Sequence, residues 1–292
     1  MAMDELKRRV WRFLGYRRPR GLTVAQRVET GLTILGGMLP GDDRLVMLHR
    51  IAGSDGEGQS EIATIDCRKT PLHITPFYTK TDVDLEDITT DAKGCVFFLS
   101  KNRIFHLDPE GQQGAPVELS TNMEEAVPSH QLDYIQYCDG YLYLYEHVEQ
   151  QLLRVPEQGG DCEKVFDFDK DWNISSFDVR ERHGRVETLS CSNDSNTSIQ
   201  WRREGEEPPR SIDVPFASRI VDLAANTELC SIELPEARSI CSVLVNDTAN
   251  QIYVTEWRVN HTYLTQLFIH YYDGDSEDDH ERHQEELLPV ED

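Results

Sequence analysis

The most regular passage of the chain is "CDGYLYLYEHVEQQLLRVP", Cys138 to Pro156, where three tyrosines alternate with two leucines. A polar patch follows, and Leu152, Leu153 and Val155 resume the apolar pattern. Strict alternation predicts a strand. Both alternating sets are bulky and apolar, so both faces of that strand should be covered, whereas a strand with one wet face would alternate apolar with charged residues. The Asp139-Gly140 dipeptide that opens it predicts a tight hairpin turn.

The phrase recurs. "DITTDAKGCVFFLS" (Asp87–Ser100), "DYIQYCDGYLYLYE" (Asp133–Glu146) and "FDVRERHGRVETLS" (Phe177–Ser190) share one layout, and their glycines, Gly94, Gly140 and Gly184, stand 46 and 44 residues apart. Each unit continues with two more strand-like pieces: "RIFHLD" and "PVELS", "QLLRVP" and "KVFDF", "SIQWRR" and "SIDVP". Weaker copies flank these, beginning at "RLVMLHRI" before them and ending at "YLTQLFIHYY" after them. Between them, "RIVDLAANTELCSIELP" matches only a third and fourth strand, so one repeat is degenerate or incomplete.

Four antiparallel strands per ~45 residues, repeated around a ring, is the pattern of a β-propeller, in which each blade buries both faces against its neighbours. The stretch "DGYLYLYEHVEQQLLRVPEQGG" resembles the D-G-x-L-Y and L-x-R-V phrases of NHL and YWTD-type blades. The resemblance is to the β-propeller superfamily. No blade carries the Gly-His and Trp-Asp pair of WD40 repeats, nor the kelch double glycine in register. It implies an all-β propeller of five or six four-stranded blades over residues 42–274, preceded by a basic helical extension (1–41) and followed by a disordered acidic tail (275–292). A pair of β-sandwiches or an irregular all-β domain are the competing folds.

The extension is read as a helix over residues 4–14 that stops at Gly15. Leu6, Val10, Phe13 and Leu14 share one face, Arg8, Arg9 and Arg12 surround it, and Trp11 adds an aromatic anchor; together these eight form a candidate partner-binding segment. The alternative is that the helix packs on its own ring. Thr23 and Gln26 have capping-box spacing and predict a second short helix.

Charge sharpens this picture. The 292-residue chain carries a net charge of -24, with residues 1–20 at +5 and residues 273–292 at -9. The acidic body should repel phosphates and favour basic partners, which disfavours nucleic acid. No apolar run approaches the ~20 residues of a membrane helix. Seven cysteines without a close CxxC pair suit reduced, buried thiols, and the chain lacks an apolar leader, so the expected location is intracellular, cytoplasmic or nuclear. The sequons at Asn173, Asn193, Asn196, Asn246 and Asn260 are then chance, and a mitochondrial presequence fits badly because Asp4 and Glu5 sit in it.

Candidate chemistry is sparse. Asp87, Asp133 and Asp178 fall near the innermost strand of successive units and could converge on the central channel as metal ligands; in lactonase-type propellers such inward carboxylates hold the catalytic ion. Aspartates at strand ends also make turn hydrogen bonds. His280 and His283 lie close together within the acidic tail, where a solvated segment is the plainer reading. There is no G-x-S-x-G, S-x-x-K or P-loop, and "LGGM" (Leu35–Met38) is too short for a nucleotide site. Trp172, Trp201 and Trp257 read as core. Ser276, followed by Glu277, Asp278 and Asp279, is a candidate site for an acid-directed kinase.

These residues lead to an expectation of a non-enzymatic interaction scaffold or subunit of an intracellular complex, binding proteins that offer a basic surface or a groove for the N-terminal helix and needing no cofactor. One alternative is a substrate receptor of a cullin-type ubiquitin ligase, by analogy with receptors that carry a basic helix before a propeller. Another is a metal-dependent propeller enzyme of the lactonase or hydrolase type.

Overall fold

The computed structural model describes residues 19–41, 43–51, 59–79, 85–114, 117, 131–172, 174–182, 184–192, 198–205, 209–213, 219–220, 230–231, 239–246, 251–258 and 261–271. These residues form strands, turns and bends with no helix among them. Hence no helix of the described residues is long and apolar enough to cross a membrane.

Strand β1 (Pro19–Thr30) comes first in the chain and last in the ring. The next four strands, β2 (Leu32–Met38), β3 (Arg44–Ile51), β4 (Gln59–Asp66) and β5 (Ile74–Tyr78), make one antiparallel sheet. Then β6 (Ile88–Thr90), β7 (Val96–Ser100) and β8 (Arg103–Leu107) make a second, where Val117 bridges Ile104 in the place of a fourth strand. A third consists of β9 (Leu132–Cys138), β10 (Tyr141–Glu146), β11 (Gln151–Pro156) and β12 (Glu163–Asp167). A fourth follows with β13 (Ile174–Arg182), β14 (Arg185–Ser192), β15 (Ser198–Arg203) and β16 (Arg210–Asp213). The degenerate repeat retains the two-residue strands β17 (Arg219–Ile220) and β18 (Cys230–Ser231). The last sheet combines β19 (Ser239–Asn246), β20 (Gln251–Arg258) and β21 (His261–Tyr271) with β1 as its outermost strand. Six sheets are thus formed by the described residues, and pairing of the first strand with the last closes the ring.

The first strand of each sheet lies innermost: β19 packs on β2, β2 on β6, β6 on β9, and β9 on β13. The double glycine of "LGGM" belongs here. A Cβ at Gly36 would lie 3.0 Å from Ile88 Cγ1, and one at Gly37 would collide with Thr90 Oγ1, so the two glycines let β2 approach β6 closely.

The apolar alternation produces the core as expected. Leu142 and Leu144 face the second sheet, in one cluster with Phe97, Leu99, Ile104 and Val117. Tyr143 and Tyr145 face the fourth sheet, clustered with Ile174, Phe177, Val179 and Val186. All four β10 side chains are fully buried. The β9–β10 hairpin turns on Asp139 (φ 49°) and Gly140 (φ 86°), both left-handed, the geometry that an Asp-Gly pair favours.

Two readings of the N-terminal region are corrected. Thr23 and Gln26 lie within β1, opposite Phe268 and Gln266 of β21, and not in a helix. Gln26 spends its amide on tertiary closure: Nε2 donates to Gln266 Oε1 at 2.7 Å, and Oε1 accepts from the backbone N–H of Leu72 at 3.2 Å. A Gln three residues after a Thr is a local signal, and a ladder of complementary strands overrides it. The ring accordingly begins at β1 and takes β2 as the first sheet's inner strand, ahead of residue 42. The helix expected over 4–14, with Leu6, Arg8, Arg9, Val10, Trp11, Arg12, Phe13 and Leu14, lies outside the described residues, as do Ser276, His280 and His283.

Candidate active site

Asp87, Asp133 and Asp178 do stand on or beside the inner strands, but each is engaged differently. Asp87, 7% exposed, directly precedes β6, and its Oδ2 accepts the backbone N–H of Ile135 in β9 at 2.8 Å. Two positions on, Thr89 Oγ1 accepts the N–H of Tyr137 at 3.2 Å. The matched steps show that β6 and β9 run parallel, side chains of one inner strand capping amides of the next. Burial is the main cause that pushes the Asp87 carboxyl up to about 7, against the hydrogen bonds from Ile135 and Ile88. Asp178, in β13, is buried and its Oδ1 accepts the N–H of Val179 at 2.8 Å. Among the described residues no group of three or more His, Cys, Asp and Glu could hold a metal ion. These aspartates therefore do not supply the ligand set of a metal-dependent lactonase.

Asp133 is the one that meets a chemical partner. The β9–β10 ladder runs in register from the Asp-Gly turn to Tyr145 opposite Tyr134, then pairs Glu146 with Leu132, which leaves Asp133 as the extra residue of a β-bulge. A bulge re-aims its side chain, and Asp133 Oδ2 lies 3.2 Å from His147 Nδ1, just past the end of β10. The side chains remain 27% and 43% exposed, so solvent and solutes reach the pair. Burial pushes the Asp133 carboxyl above the ordinary carboxylate range, while the His147 imidazole pulls it down.

The surrounding frame is rigid. The fully buried Glu146 accepts the N–H groups of Val148 (2.9 Å) and Glu149 (2.7 Å), fixing the β10–β11 turn that carries His147. The His147 N–H donates to Gln131 O at 2.9 Å. From the preceding sheet, Asn102 Oδ1 accepts the N–H of Leu132 at 3.0 Å. Asn102 and Lys101 form the two-residue β7–β8 turn with φ of 60° and 50°. Beneath the pair, the His147 ring meets Tyr145 edge-on (centroids 6.4 Å apart, 89°), and Tyr145 stacks on Tyr134 at 6.0 Å. Burial, followed by the nearby carboxylates Asp87 and Asp133, pushes the Tyr134 hydroxyl up to about 12, so it stays protonated at neutral pH.

A second imidazole–carboxylate pair, His49 Nδ1 to Glu61 Oε1 at 3.1 Å, joins β3 to β4. It is only 13% and 10% exposed, so it is less open to a substrate. Trp172 donates from Nε1 to Ser190 Oγ at 2.9 Å and packs on the core of the third and fourth sheets.

No family model matches the chain, and no curated protein matches it by sequence. Solved structures do match in fold. The PQQ-bound form of an aldose sugar dehydrogenase from Streptomyces coelicolor superposes with a TM-score of 0.53 at 13% identity, covering 86% of this chain and 100% of that one. A gluconolactonase from Xanthomonas campestris gives a TM-score of 0.54 at 10% identity over 86% of this chain and 98% of that one. At these identities the likeness is one of fold. Both of these propellers are enzymes, which counts against the expectation of a non-enzymatic protein. That expectation rested on missing nucleophile and nucleotide motifs, and their absence does not exclude catalysis. In fold the chain is a β-propeller.

Proposed function

We propose that the protein is a hydrolytic propeller enzyme of the lactonase type, acting on a small polar ester or sugar-derived lactone at the end of the ring where β9 begins. The observation that carries this reading is the Asp133–His147 pair: an accessible imidazole whose Nδ1 is held by a bulged carboxylate on a rigid frame. A carboxylate at Nδ1 fixes the tautomer and leaves Nε2 to take and return protons. In the reaction His147 accepts a proton from water as its oxygen bonds to the carbonyl carbon. The ring C–O bond then breaks, and the same imidazole returns the proton to the departing alkoxide. Beneath the pair, the half-buried Tyr134 offers an apolar surface with a hydroxyl for a sugar-like ring. The gluconolactonase likeness favours this substrate class over others, and no step is routed through a metal.

The test is a panel of aldonic lactones and simple esters, with proton release followed across pH for the full chain, His147→Gln and Asp133→Asn. General acid–base catalysis contributes about 10²–10⁴-fold, so His147→Gln should lower kcat/KM by that order, and Asp133→Asn should lower it less while moving the pH profile. Unchanged turnover in His147→Gln with a normal melting temperature, or no turnover of any compound by the native protein, would sink the reading.

A further inference from the structure

Three side chains of the second sheet hold three backbone amides of β9, the innermost strand of the third sheet. Thr89 Oγ1 accepts the Tyr137 N–H at 3.2 Å, Asp87 Oδ2 accepts the Ile135 N–H at 2.8 Å, and Asn102 Oδ1 accepts the Leu132 N–H at 3.0 Å. At the edge of an antiparallel sheet every second residue turns its N–H away from the partner strand, so the step from Tyr137 to Ile135 is the regular one. The next step, from Ile135 to Leu132, is one residue longer. It skips Asp133, the extra residue of the β-bulge, where the β10 pairing also jumps from Tyr134 to Leu132. We propose that Asn102 is a positioning residue for the Asp133–His147 pair: by holding the Leu132 N–H it pins the bulge that turns the carboxylate to the imidazole.

The turn that carries Asn102 points to the side chain as the reason for an asparagine there. Lys101 and Asn102 form the two-residue β7–β8 turn with both residues left-handed (φ 50° and 60°). Glycine is the usual choice at the second position of such a turn. Asn102 instead combines tolerance of the left-handed conformation with an amide oxygen that reaches the next sheet. His147 is held from its own sheet, because Glu146 fixes the β10–β11 turn through the N–H groups of Val148 and Glu149. Loss of the Asn102 contact therefore acts on the carboxylate and leaves the imidazole in place. A bulge that relaxes by one residue turns Asp133 to the opposite face of the strand, since side chains alternate with period two. The carboxylate then no longer meets Nδ1, and the tautomer that leaves Nε2 as the base is no longer fixed. The effect on turnover rests on the hydrolytic function proposed above, whereas the tautomer follows from the geometry alone.

Three variants of the full chain provide the test. Asn102→Gly keeps the turn conformation and removes the acceptor, Asn102→Asp keeps the acceptor, and Asp133→Ala is the reference for a lost carboxylate. Nitrogen-15 spectra of the His147 ring, at about pH 8 where an ordinary imidazole is neutral, read the tautomer directly. The native protein should show a protonated Nδ1 and a bare Nε2. Asn102→Gly should move both signals toward the averaged pair seen in Asp133→Ala, with a melting temperature close to that of the native protein, and Asn102→Asp should restore them. On a lactone that the native protein hydrolyses, Asn102→Gly should lower kcat about tenfold, part of the about 10²–10⁴-fold of acid–base catalysis, and leave KM nearly unchanged. Native ring signals in Asn102→Gly, or equal loss in Asn102→Gly and Asn102→Asp, would overturn the positioning role. Absence of turnover by the native protein removes the hydrolytic function alone, and the ring signals then still decide the role of Asn102.

Discussion

Asp87 and Ile135 join two neighbouring blades through one hydrogen bond, from the Ile135 N–H to the buried Asp87 Oδ2 at 2.8 Å. Inner strands of adjacent blades do not share a backbone ladder, so their amides need side-chain acceptors or water. Asp87 and Thr89 serve that need along β6. The cost is a carboxylate kept out of water.

That cost makes stability depend on pH in a defined direction. In the unfolded chain an Asp titrates near about 3.9, while in the folded ring Asp87 is pushed up to about 7. The folded state thus holds the proton more tightly. The stabilisation is fully present below about pH 4 and is lost as pH rises through about 7. Asp87→Asn keeps the acceptor and removes the charge, so urea midpoints at pH 8 should rise relative to the native protein and converge below about pH 4. Asp87→Ala leaves the Ile135 N–H unpaired and should cost about 1–3 kcal/mol relative to Asp87→Asn at any pH. Equal pH dependence in the native protein and Asp87→Asn would show that the carboxyl is not the titrating group.

The close approach of β2 to β6 at Gly37 gives a packing prediction. An added methyl would collide with Thr90 Oγ1 and stand 3.0 Å from Thr90 Cβ. Gly37→Ala should therefore destabilise the ring by about 1–3 kcal/mol, the usual cost of overpacking. Thr90→Ala removes the colliding oxygen, so the double variant should recover part of the loss. Thermal melts of the two single variants and the double variant measure that coupling. Strict additivity would place the strain elsewhere.

These two strands also show where the sequence was legible. The "YLYLYE" alternation and the glycine spacing were enough for blades with two covered faces, because each pattern is local and period two leaves no other packing for Leu142, Tyr143, Leu144 and Tyr145. Ring closure by β1 was not legible. Its evidence is complementarity between residues about 240 apart, such as Gln26 and Gln266, while the nearby Thr23 and Gln26 mimic a helix cap. For the candidate site, Asp133 was singled out and His147 was missed. Counting back from the Asp-Gly turn places Asp133 opposite Glu146, one residue from His147, so the pair was within reach of register arithmetic. The bulge that turns Asp133 toward the imidazole was not, since no residue type announces it.

The last prediction concerns Glu187, fully buried in β14 between two arginines. Arg180 Nε donates to its Oε2 at 2.8 Å from β13, and Arg203 Nε donates to its Oε1 at 2.6 Å from β15, so one carboxylate ties three strands of the fourth sheet. Burial alone would raise the Glu187 carboxyl, but hydrogen bonds from Arg203 and Arg180 outweigh it and hold the group below the ordinary range. A lowered value means that the stabilisation is present above the unfolded value, near about 4.3, and disappears as pH falls through the folded one. Removing the charge by Glu187→Gln takes the shared carboxylate away from two guanidinium groups, one of them 11% exposed. Breaking a buried pair in this way costs about 3–5 kcal/mol. Replacing all three residues by apolar ones of similar volume should cost far less, because no charge is then left buried and unpaired. Chemical denaturation at pH 7 and pH 3 checks both points. Glu187→Gln should be much less stable than the native protein at pH 7 and closer to it at pH 3, and a variant that matches the native protein at pH 7 would show that the network contributes geometry without stability.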